Sequence, residues 1–246
     1  MSDVTPTMGP CPNPNCGSSN ANATYPDDGH SWCYSCQTYT SGDKSMQQTK
    51  VIPMNNPATS QLKSVGQVAD IPDRKIKQET AKKYNTQVMQ SNNMITHHIY
   101  QYFDKDGNHI ANKVREVQGK KFWSEGNLAG SGLFGEHIFG RAGKYITVCE
   151  GEIDAMSAYE MLGSKWPVVS IKNGAASALE NCRRSFEYLN QFENVVLCFD
   201  NDKPGKEAAL KVAELFDPNK CKIIELELKD ANEYLKTNQR KKFNDD

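Results

Sequence analysis

Three carboxylates stand immediately beyond two apolar runs: Glu150 after Lys144–Cys149, and Asp200 and Asp202 after Val195–Phe199. Short runs rich in Val, Ile and Phe read as strands of a parallel sheet, where ligands gather beyond the carboxyl ends of the strands. In this reading Glu150, Asp200 and Asp202 converge on one crevice. Hard oxygen donors suit Mg²⁺ or Mn²⁺, which keep several waters and are completed by substrate phosphates, so the chemistry indicated is phosphoryl transfer. Either acidic motif alone reads as readily as a polar loop closing a buried strand; the two together, in one strand-helix frame, favour the metal site.

That frame is legible in the spacing. After Gly151, Ala155, Ala158, Tyr159 and Leu162 fall on one helical face, stopped by Gly163. A strand at Pro167–Ile171, a turn at Lys172–Ala175, one continuous helix over Ala176–Phe192, a helix from Pro204-Gly205 through Phe216 and a strand at Lys222–Leu226 follow. Strands alternating with helices predict a small parallel α/β sheet over residues 141–246, within an α+β chain overall.

Eight cysteines divide into two groups. Cys149, Cys182, Cys198 and Cys221 are isolated within regular elements and read as buried small apolar residues. Cys11, Cys16, Cys33 and Cys36 form C-x4-C, a sixteen-residue gap and C-x2-C in a Pro/Asn/Gly-rich stretch, the pattern of two knuckles closing a tetrahedral zinc site. With little apolar material around it, a ribbon over residues 1–40 depends on its metal to fold. His30 reads as a support to the thiolates, a nucleic-acid contact or a solvated side chain. Trp32 and Tyr34 form either a mini-core or a surface on which bases stack.

Residues 41–65 are rich in Ser, Gln, Asn, Pro and Lys without periodicity, the composition of a flexible tether. A basic α+β subdomain is expected over 66–140, with a hairpin formed by His98–Phe103 and His109–Val117 around Asp106-Gly107. Lys113, Arg115, Lys120 and Lys121 cluster there beside Phe122 and Trp123, either as a solvated face or as a groove for single-stranded template and nucleotide triphosphates. A quarter of the 246 residues is charged and the net charge is −1, so the chain reads as soluble and cytoplasmic, without a nucleic-acid-coating charge. No apolar run approaches membrane-spanning length and no signal segment opens the chain.

Glu150-Gly151-Glu152-Ile153-Asp154 followed by Asp200-Asn201-Asp202 resembles the Toprim fold of bacterial-type primases, type IA and II topoisomerases and some nucleases. Lys229-Asp230-Ala231-Asn232-Glu233 further resembles the primase half of phage T7-type primase-helicases, and the order ribbon, linker, basic subdomain, Toprim extends the resemblance over nearly the whole chain. It implies a DNA primase that makes RNA primers on single-stranded DNA from ribonucleoside triphosphates, with a replicative helicase and a DNA polymerase as partners. Carried over by it are the four-cysteine zinc set; Glu150, Asp200 and Asp202 on one or two Mg²⁺ or Mn²⁺; Asp154 and Asp230 behind them; and Lys113, Arg115, Lys120 or Lys121, and Lys229 on nucleotides. The Gly132-Leu133-Phe134-Gly135 run also matches. C-x4-C is longer than that family's usual C-x2-C, and Lys172-Asn173 stands in place of a Gly-His pair. A RecR-like recombination mediator and a Toprim nuclease are the rival readings. No Gly-x4-Gly-Lys-Ser/Thr frame occurs, so the helicase is expected as a separate chain or a further C-terminal part.

Overall fold

Two cysteine knuckles separated by small polar residues cannot bury much surface, whereas the alternating apolar runs further on can, and the chain divides accordingly into Met1–Thr59 and Ser60–Asp246. The computed structural model describes residues 5–14, 16–26, 29–35, 38–40 and 62–245; the expected tether, apart from 62–65, lies outside the described residues, as does Cys36. In the first unit β1 (Thr7–Gly9), β2 (Asn22–Thr24), β3 (Ser31–Cys33) and β4 (Tyr39–Thr40) pair antiparallel in chain order. Among its described residues Ala23 and Cys33 are the buried apolar side chains.

The second unit opens with α1 (Gln78–Lys83) and a four-stranded antiparallel sheet, β5 (Thr86–Ser91), β6 (Met94–Phe103), β7 (His109–Glu116) and β8 (Phe122–Gly126), in that order. The expected hairpin is β6–β7: Asp104 accepts from the Asp106 and Asn108 amides at 2.9 Å, and Gly107 takes φ +81. β5 and β8 add strands that polar composition and broken alternation conceal in the sequence.

β9 (Gly143–Cys149), α2 (Glu152–Met161), β10 (Val168–Ser170), α3 (Ala178–Arg184), α4 (Phe186–Leu189), β11 (Phe192–Cys198), α5 (Lys203–Ala213), β12 (Cys221–Ile223), α6 (Ala231–Lys236) and α7 (Arg240–Asp245) complete the unit. The strands form one parallel sheet ordered β10-β9-β11-β12. From β9 the chain moves outward to β10 and then returns to pair β11 on the other side of β9, so the order reverses between β9 and β11. This is the topological switch point at which open α/β sheets bind ligands.

Two apolar clusters sandwich the sheet. α2, Phe134 and the inward tyrosines of the antiparallel sheet, Tyr100 and Tyr102, belong to one; α3, α5 and Phe192 to the other. The Gly132–Gly135 run fastens the sheets together: Phe134 exchanges backbone hydrogen bonds with Ser170 (2.9 and 3.1 Å), and Gly135 sits at φ +84, where a Cβ would meet Tyr84 Cε1 at 2.8 Å. The expected continuous helix over Ala176–Phe192 is instead a 3-10 turn (Ala175–Ser177), α3 and α4, broken at Ser185. Ser185 Oγ donates to Glu136 at 2.7 Å, and Phe192, fully buried, has already entered β11 opposite Gly143. Among the described residues no helix is long and apolar enough to cross a membrane.

Candidate active site and metal centres

Glu150 leaves the end of β9 and Asp200 the end of β11, whose last residues Cys149 and Cys198 are register partners. Asp154, in the first turn of α2, joins them, and these three line one cleft of about 430 Å³ with Lys113, Phe122 and Gly174. Glu150 Oε1 accepts from the Ala175 amide at 3.1 Å, while its Oε2 is buried without a hydrogen-bond partner. Asp154 accepts from the Asn232 amide at 3.1 Å. Asp202 and Asp230 cap α5 and α6, accepting from Gly205 N at 2.8 Å and Glu233 N at 2.9 Å. Neither lines the cleft with Glu150, Asp154 and Asp200, as Asp202 was expected to; both act on those acids through their charge.

Crowding raises the acids. Burial, followed by the charges of Glu150 and Asp230, pushes Asp200 up to about 7, with Lys229 opposing. Burial raises Glu150 and, with Asp230 and Asp200, holds Asp154 well above the ordinary carboxylate range. An all-oxygen donor set with one orphaned carboxylate oxygen and mutually raised acids fits a divalent cation of the Mg²⁺ or Mn²⁺ type.

The basic wall differs from a solvated face. Lys113 Nζ donates to Glu152 Oε1 at 2.7 Å and to the Lys172 carbonyl, and its side chain is only 13% exposed. Glu152, itself 4% exposed, also accepts from Tyr102 OH at 2.6 Å. Arg115 lies 5.6 Å from the Phe122 ring. Lys120 and Lys121 occupy the exposed turn between β7 and β8 and do not line the cleft. Lys229 acts on the acids through its charge, and its carbonyl receives the Asn201 amide at 2.7 Å.

Lys172 is buried, donating to the carbonyls of Ser131 (2.8 Å) and Leu128 (3.3 Å), and burial lowers it to about 8. It braces the segment that leads to Gly174 and Ala175. Tyr102, Glu152 and Lys172 join the site without a role assigned to them from the sequence. The repeated acid of Glu150-Gly151-Glu152 was the available signal for one of them; Tyr102 reads as core in any alternating strand.

In the first unit the Sγ atoms of Cys11, Cys16 and Cys33 lie within 4.8 Å of one another. Cys16 and Cys33 are 3.8 Å apart, close to the roughly 3.8 Å edge of a tetrahedron with Zn–S bonds of about 2.3 Å. Cys11 also accepts from the Asn13 amide at 3.4 Å. His30 stands apart from the thiolate cluster, stacked on Tyr25 with centroids 4.5 Å apart. Tyr25 and Tyr34 hydroxyls lie 3.4 Å apart, Tyr34 is exposed, and half-buried Trp32 pairs across to Ala23. Of the other cysteines, Cys149, Cys182 and Cys198 are buried, and burial lifts the Cys182 thiol to about 12 and half-buried Cys221 to about 11.

A Toprim-like family match spans residues 147–235, the stretch from β9 to α6 that carries all five acids. The same fold recurs in the DnaG primase catalytic domain bound to ssDNA, with a TM-score of 0.52 at 14% identity over 72% of this chain and 68% of that one. Closer in sequence is the primase fragment of the bacteriophage T7 primase-helicase: 31% identity, TM-score 0.70, 98% of this chain and 99% of the fragment. A second T7 structure, of lagging-strand DNA polymerase interacting with primase domains bound to an RNA/DNA hybrid and dTTP, matches at 32% identity and TM-score 0.66 over 73% of this chain and 90% of that one. The "DNA helicase/primase" of Enterobacteria phage T3 is 33% identical over 232 residues, 91% of this chain. The chain spans 40% of the length of that curated relative. The fold is that of a Toprim primase core preceded by a cysteine unit. Within that class, the chain belongs to the phage T7-type primases, the primase part of the primase-helicase family.

Proposed function

We propose that this chain is a DNA primase, copying single-stranded DNA into short RNA primers from ribonucleoside triphosphates by divalent-metal-dependent nucleotidyl transfer. The observation that carries the reading is the meeting of Glu150, Asp154 and Asp200 with Lys113 in one cleft at the sheet's switch point. Glu150, Asp200 and Asp202 would hold Mg²⁺ or Mn²⁺, with Asp154 and Asp230 behind them. Such a cation, when bound, neutralises the triphosphate and stabilises the charge developing in in-line displacement.

Lys113, anchored by Glu152 and the Lys172 carbonyl, places a fixed positive charge against the substrate phosphates. Lys229 offsets the acids' mutual repulsion, and Arg115 with Lys120 and Lys121 draws phosphates toward the cleft. Cys11, Cys16, Cys33 and Cys36 would hold one structural zinc, leaving Tyr34, Trp32 and His30 to meet template bases. A replicative helicase and a DNA polymerase are the expected partners, in the host cytoplasm.

Incubation with single-stranded DNA, Mg²⁺ and labelled ribonucleotides tests the assignment. Template-dependent oligoribonucleotides support it. Template degradation without synthesis indicates a nuclease, and DNA binding without either indicates a recombination mediator.

A further inference from the structure

We infer that Phe122 is the stacking platform for the base of the incoming ribonucleotide, an inference that rests on the primase reading. Phe122 opens the edge strand β8 and lies directly opposite Arg115 in the register with β7. Lys113 and Arg115 sit 5.2 and 5.6 Å from its ring centroid, so two cations hold the ring in place while 52% of the residue stays exposed. A singly exposed aromatic ring is either an ordinary solvated side chain or one used in contact.

Its position decides between those uses, because Phe122 lines the same cleft as Glu150, Asp154 and Asp200. At about 430 Å³ that cleft lies within the range of small-ligand sites. With phosphates held at Lys113, a ring 5.2 Å from its Nζ on the wall of the same cleft is within reach of the base of the same nucleotide. Stacking on it is indifferent to which base is bound, as copying a varied template demands. Neighbouring Trp123, 41% exposed, cannot serve in its place, since it pairs with Val114, faces the opposite side of the sheet and stands edge-on to His97.

Calorimetric titration with Mg²⁺ present compares wild type, Phe122→Ala, Phe122→Leu and Phe122→Trp against ATP, inorganic tripolyphosphate and oligodeoxythymidylate. The expected result is about a tenfold loss of ATP affinity in the Ala and Leu variants, recovery in the Trp variant and unchanged tripolyphosphate affinity in all. Thermal melts should coincide, since the side chain is half exposed on an edge strand. Unchanged ATP affinity, or equal losses for ATP and tripolyphosphate, overturns the platform. A loss confined to the oligodeoxynucleotide moves stacking to the template and overturns it too. Wild type that binds neither phosphate ligand overturns the primase reading along with it.

Discussion

The cysteine unit and the carboxylate cleft both gather ligands for a cation, yet they hold them by opposite means. Around Cys11, Cys16 and Cys33 the strands are two or three residues long and the described buried apolar side chains are Ala23 and Cys33. Such a unit has its ligands for a core. Glu150 and Asp200 instead stand on two fully paired strands between two apolar clusters, and the acids repel one another there without disturbing the fold. With zinc and Mg²⁺ as proposed, metal and fold would be one equilibrium in the first unit and two in the second.

The largest effect that would break this comparison lies at Cys33. Cys33→Ser should abolish stoichiometric zinc in metal analysis and unfold the first unit, removing stabilisation on the order of 10 kcal/mol, while the second unit keeps its melting transition. Simultaneous loss of both transitions would show that the units share one core.

Next is the second unit's own core. Phe134 is fully buried with the rings of Tyr84, Tyr100 and Tyr102 at 5.4, 5.8 and 5.7 Å, so Phe134→Ala should cost about 3–5 kcal/mol in urea unfolding and leave zinc content unchanged.

A smaller, pH-dependent effect belongs to Lys172. Its folded-state pKa near 8 lies below the ordinary 10.5, so the folded state holds fewer protons than the unfolded chain between those values. Stability contributed by this group therefore rises as pH increases from 8 to 10.5, and its burial penalty is fully present below 8. Relative to Lys172→Met, wild type should gain about 1–2 kcal/mol between pH 7.5 and 9.5 by urea midpoint. Parallel pH profiles would contradict the buried charge.

How much of this was legible follows from the range of each interaction. Glu150 and Asp200 could be placed in one cleft because each closely follows an apolar run, and a parallel sheet brings strand ends together whatever the strand order; Asp202, two residues further on, caps α5 and does not line that cleft. The cysteine spacing carried the thiolate cluster in the same local way. The setting of Lys113 could not be read: its partner Glu152 is 39 residues away and Tyr102, which shares that carboxylate, is 50 residues from Glu152, so a buried ion pair passed for part of a charged face. Ser185 broke a helix whose periodicity ran on, because its hydroxyl found Glu136 across 49 residues. β8 escaped because Phe122–Gly126 has no apolar alternation, its first three residues being exposed.

The cleft acids are proposed to hold the catalytic cation. Asp200→Asn, assayed with labelled ribonucleotides on single-stranded DNA across a Mg²⁺ titration, tests it most directly. Because the folded pKa of Asp200, about 7, lies above its ordinary 3.8, ionising it costs stability that is absent below pH 4 and complete above 7. The metal-free variant should thus melt no lower than wild type at pH 8, with a gain held to roughly 1 kcal/mol by the group's partial solvation. Such a folded variant should show primer synthesis reduced at least about a hundredfold at every Mg²⁺ concentration. Near-normal synthesis by that variant at saturating Mg²⁺ would contradict it.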